Sequence, residues 1–115
     1  LKTWAPVCVV STPLPTIGDS VGSDWGEVGN LRKDIKATQL ERTRLTLRFN
    51  QDVSVFCAGH GISYISLDQE SIAGDGLVKA SLLNSSRRDH HYRDLAYCRI
   101  LKRPLRHWIK SLLHT

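Results

Sequence analysis

Apolar and polar positions alternate most cleanly between Thr43 and Leu67 (TRLTLRFNQDVSVFCAGHGISYISL). Leu45, Leu47 and Phe49 interleave with Thr46 and Arg48. Val53, Val55 and Cys57 follow Asn50-Gln51-Asp52, and Ile62 to Leu67 resumes the run after Gly59-His60-Gly61. A period of two over β-branched and aromatic residues, bounded by Asn, Asp and Gly, predicts half-buried strands joined by tight turns. The segment reads as a three-stranded antiparallel meander at the centre of the fold. Arg42, Arg44 and Arg48 would share the polar face of its first strand, a surface on which nucleic acid can lie, although Phe49 and Tyr64 form no recognised stacking signature.

The flanking segments have other periods. Trp4 to Val10 is a short apolar run with Pro6 near its start, which suits a buried strand over 6–10. Residues 11–29 carry Pro13, Pro15, Gly18, Gly22, Gly26 and Gly29 among Ser, Thr and Asp, the composition of a long surface loop. In 30–42 an N-cap at Asn30 and the Leu31/Ile35 spacing predict a helix. Gly74-Asp75-Gly76 marks a turn before a fourth strand over 77–83. From Arg87 the period becomes three to four: Leu95, Cys98, Leu101, Leu105, Trp108 and Leu112, widened by Ile109 and Leu113. Pro104 interrupts this run, so the expectation is two helices, 88–103 and 105–114, or one kinked helix.

Together these elements predict an α+β class: a small antiparallel sheet over 43–67 and 77–83, with 6–10 as a further strand. The C-terminal helices and the 30–42 helix would pack on it. At 115 residues and 41% hydrophobic content the chain is the size of one domain, 1–115. Its longest apolar runs are far short of a transmembrane span, and no signal-peptide pattern is present. The chain opens on Leu1 and holds no methionine, as a processed or excised piece of a longer protein would. Cys8, Cys57 and Cys98 are an odd number and widely spaced, so no disulfide framework is expected. Reduced thiols in a cytoplasmic or nuclear compartment are the simplest reading.

Charge changes the picture more. The net charge is +5, yet residues 1–57 hold seven Lys/Arg against six Asp/Glu, while 86–115 hold eight against two, with four of the five histidines. The excess falls between the apolar positions of the helical stripe, at Arg87, Arg88, Arg93, Arg99, Lys102, Arg103, Arg106 and Lys110. Such a face can grip phosphates. The expectation is a non-enzymatic protein whose basic end engages an anionic partner, RNA or DNA first. The alternative is an assembly module that docks on a partner chain, a second copy or an anionic membrane surface through Leu105, Trp108, Ile109, Leu112 and Leu113. A third reading is a zinc-stabilised module built on Cys57-x-x-His60, for which His90, His91 and Cys98 would have to supply the other ligands. The length of a helix between His91 and Cys98 argues against that convergence.

No cofactor motif and no catalytic set is legible. A cysteine nucleophile at Cys57 or Cys98 lacks a visible base. Asp89-His90-His91 matches a triplet found in metal-dependent phosphoesterases, but the further aspartate motifs such enzymes need are missing.

Overall fold

Between Thr38 and Gly61 the chain carries both end signals of a helix, and the computed structural model, described over residues 5–19, 37–86 and 88–114, forms one there: α1, Gln39–Gly59. Thr38 Oγ1 accepts the backbone N–H of Glu41 at 3.1 Å, and Thr-x-x-Glu is the spacing of a capping box. At the far end Gly61 adopts φ +67°, which glycine takes without a Cβ clash. Its N–H donates to the Ala58 carbonyl at 3.5 Å, and that of Ile62 to Cys57 at 2.9 Å. These are the paired bonds of a Schellman closure. Thr38→Ala is expected to cost about 1 kcal/mol, seen as a lower urea midpoint at unchanged slope.

The strands expected over 43–59 are therefore helix. The inward stripe of α1 runs through Leu40, Thr43, Leu47, Asn50, Ser54 and Cys57, spaced three and four apart, with Gln39, Arg42, Thr46 and Val53 half-buried at its margins. Three of the stripe residues are polar, so the helical period hides from a hydrophobicity pattern. Leu45, Phe49 and Val55, half of the apparent alternation, are exposed, as is Phe56.

The mixed α+β class holds, with the sheet against the C-terminal helix. The sheet itself is smaller than expected. β1 (Cys8–Val10) and β2 (Ser63–Ile65) pair in parallel, with Cys8 opposite Ser63 and Val10 opposite Ile65. Parallel pairing follows from α1: strands joined through a crossover helix run the same way, whereas a tight turn would have reversed them. The strand expected near 6–10 is present, and the third arm of the expected meander survives as β2.

In place of a strand over 77–83 there are an isolated antiparallel bridge from Ile72 to Val78, a single 3-10 turn at Ala80–Leu82 and a second bridge from Leu83 to Tyr92. A short helix, α2 (Asp68–Ser71), precedes them. The last element is one continuous helix, α3 (Asp94–Leu113), with Pro104 inside it; residues 88–93 are loop. Residues 11–19 form neither helix nor strand, while residues 20–29 and the expected Asn30 cap lie outside the described residues.

Leu14, Val78, Leu82, Tyr92 and Ala96 form the buried core, with Leu47, Ile72, Tyr97 and Ile100 packed against it. It thus draws on α1, α3 and the loops that follow β1 and β2. Among the described residues no helix is long and apolar enough to cross a membrane.

Candidate functional site

In open sheets of parallel strands ligands sit in the crevice beyond the carboxyl ends of the strands. Here the chain leaves β1 through Ser11, Thr12 and Pro13, and a cleft of about 810 Å³ lies beside Thr12 and Pro13. Its other walls come from the start of α3, with Asp94, Tyr97 and Cys98, and from the loop before it, with His90, His91 and Tyr92.

That loop is held from several sides. Tyr92 is 5% exposed, and its hydroxyl accepts the Leu14 N–H at 2.8 Å. Burial pushes the Tyr92 phenol above its ordinary pKa. The Arg93 N–H donates to the Leu82 carbonyl at 2.8 Å. Thr16 Oγ1 donates to the backbone carbonyl of Asp89 at 2.9 Å, and Asn84 Nδ2 to that of His91 at 2.9 Å. Four anchors, two from Leu14 and Thr16 after β1 and two from Leu82 and Asn84, hold this loop.

Within it Asp89 and His91 meet. Asp89 Oδ1 accepts the His91 backbone N–H at 2.9 Å and lies 3.0 Å from His91 Nδ1. The backbone bond, then the ring bond, hold the Asp89 carboxyl below its ordinary pKa, so it is ionised near neutral pH. An ionised carboxylate only accepts, which selects the imidazole tautomer protonated at Nδ1 and leaves the lone pair on Nε2. The His91 side chain is 72% exposed. The His90 ring packs beside it, centroids 4.0 Å apart.

The third sequence reading, zinc on Cys57 and His60, finds no converging set of ligands among the described residues. Cys57 is buried on α1, whereas His60 is exposed, stacked on Phe56 at 4.1 Å with Nδ1 2.8 Å from the Phe56 carbonyl. Both belong to the end of α1, not to a shared site with His91 or Cys98. Among the described residues the side chains able to converge on one ion are Asp89, His90 and His91, within 4.8 Å of one another.

No family model, no curated protein and no solved structure matches this chain.

The thiols differ. Cys98 is exposed at the cleft, Cys57 is buried, and Cys8 is half-buried. Burial, with Cys57 nearby, raises the Cys8 pKa.

Of the eight basic residues singled out in the sequence, Arg99, Lys102, Arg103, Arg106 and Lys110 line one groove along α3, of about 370 Å³. His107, which the sequence reading passed over, joins them. Its position four residues after Arg103 and three before Lys110 was the available signal. Arg88 and Arg93 are exposed on the loop before α3, outside that lining, and Arg87 lies outside the described residues. The expected apolar face divides: Leu105 and Trp108 are half-buried, whereas Ile109, Leu112 and Leu113 are exposed.

Proposed function

We propose that the cleft beyond β1 is an acid–base catalytic site for hydrolysis or transfer of an ester-linked acyl group, with His91 as the proton carrier and Asp89 as its positioning residue. The observation that carries this is the 3.0 Å contact between Asp89 Oδ1 and His91 Nδ1 at the wall of the cleft. A base that is itself held by a third group is the recurring arrangement in acyl transfer. His91 Nε2 takes the proton of an attacking hydroxyl, water in the simplest case, as its oxygen adds to the acyl carbon. The imidazolium, stabilised by Asp89, returns that proton to the departing alkoxide.

The lining favours a neutral acyl group over a phosphate. Pro13, Tyr92, Tyr97 and Cys98 present apolar surface, and no Lys or Arg is among the lining residues. Asp94 would repel a phosphate, and nothing in the wall would neutralise it. The sequence expectation of a non-enzymatic protein rested on the lack of a visible base; the folded loop supplies a candidate.

The test is turnover of p-nitrophenyl acetate and butyrate by the purified chain near neutral pH. His91→Ala is expected to slow turnover at least about 100-fold, Asp89→Asn to slow it less, and His60→Ala, exposed at the end of α1 and outside the cleft lining, to leave it unchanged, with all three variants folded by circular dichroism. Long-range nitrogen NMR should find His91 protonated at Nδ1, a preference that weakens in Asp89→Asn. Hydrolysis no faster than in buffer, or equal in His91→Ala, defeats the reading.

A further inference from the structure

We infer that the groove along α3 binds the phosphodiester backbone of a nucleic acid. This surface is separate from the proposed acid–base site. Five permanent cations, Arg99, Lys102, Arg103, Arg106 and Lys110, line it together with His107. Eleven helical steps take the first to the last, about 16 Å at 1.5 Å per residue.

Two further observations point to a polyanion. The first is an electrostatic cost with no ion-pair relief among the described residues. Arg99 and Arg103, Lys102 and Arg106, and Arg106 and Lys110 are like-charged pairs four residues apart, each destabilising by a few tenths of a kcal/mol. Among the described residues the one ion pair is between His91 and Asp89, so no described carboxylate offsets this row. A line of phosphates would.

The second concerns what else lines the groove. An interfacial membrane helix puts apolar side chains into the headgroup layer with cations flanking them. Here no apolar residue is among the lining. At 3.6 residues per turn the cations centre roughly opposite the half-buried stripe of Leu101, Leu105 and Trp108. A strand laid along this lining meets the five cations and His107, while the exposed Ile109 and Leu113 border the same face; a row of charges matched to a row of phosphates favours the phosphate backbone. With no stacking ring in the groove other than His107, binding follows charge and not sequence.

The test is fluorescence anisotropy with labelled oligo(dT) and oligo(U) of about 20 nucleotides, in which affinity should fall on the order of 100-fold between about 50 and 200 mM salt for four to five phosphate contacts. Arg103→Ala with Arg106→Ala should weaken binding about tenfold or more. Arg44→Ala with Arg48→Ala removes the same charge from the exposed side of α1 and should change it less than twofold. Equal weakening by the two pairs would reduce the effect to net charge and overturn the assignment. So would an absence of saturable binding, or uptake by phosphatidylserine vesicles with neither oligonucleotide bound.

Discussion

Asn50→Ala is expected to lower the free energy of unfolding by about 3 kcal/mol. Asn50 is 1% exposed in the middle of α1. Its Oδ1 accepts the Thr12 N–H at 3.0 Å, while Nδ2 donates to the Thr12 carbonyl at 2.9 Å and to Asp68 Oδ1 at 2.8 Å. One side chain thus joins the exit of β1, the helix and the start of α2. Alanine removes three bonds and leaves their partners behind, and orphaned buried groups cost about 1–3 kcal/mol each.

The loss should also depend on pH. Burial raises the Asp68 pKa, and the Asn50 amide pulls it back; without the amide the native carboxyl rises further. A raised native pKa means that the folded state holds its proton more tightly than the unfolded chain. The associated stability is therefore present below the unfolded value, about 3.9, and is lost as pH rises through the folded value. The deficit of Asn50→Ala should accordingly be smaller in acid than at neutral pH. Urea denaturation at both pH values checks it, and a loss under about 1 kcal/mol at neutral pH would show that the amide is dispensable.

Leu14→Ala is expected to cost a similar amount, about 3 kcal/mol. Leu14 is 1% exposed and packs in the cluster with Val78, Leu82, Tyr92 and Ala96. A methyl in its place leaves a void between the segment after β1 and the loop of Asp89 and His91. Because the Leu14 N–H also donates to the Tyr92 hydroxyl, the loosened segment should disturb the acid–base loop and slow turnover at temperatures where the chain is still folded. Leu45→Ala is the contrast. Leu45 is 68% exposed on α1, so its loss should stay within about 0.5 kcal/mol. A core strand at that position would have behaved like Leu14.

That contrast marks where the sequence was readable. The amphipathic pattern of 95–113 predicted α3 because its apolar and charged residues are both numerous and in phase. The Cys8 and Tyr64 strands were legible from short apolar runs. α1 was not, because Thr43, Asn50 and Ser54 occupy its inward stripe and Leu45, Phe49 and Phe56 its outer side. Its ends were nonetheless written in Thr38-x-x-Glu41 and in Gly61, signals that depend on hydrogen bonding rather than hydrophobicity. Five of the groove's cations were named from spacing. Asp89-His90-His91 was set aside for want of further aspartate motifs; that Asp89 and His91 form a held pair depends on bonds from Leu14, Thr16 and Asn84 that the triplet itself does not encode.

The unequal surroundings of the three cysteines have a practical consequence. A maleimide or iodoacetamide reagent meets Cys98 in the open, Cys8 with its thiolate disfavoured by burial, and Cys57 only when α1 unfolds. Alkylation should therefore proceed in that order, with the last step timed by opening of the fold. The native chain thus offers a single prompt attachment point, on the wall of the cleft, where a fluorophore would report what enters without any residue being replaced.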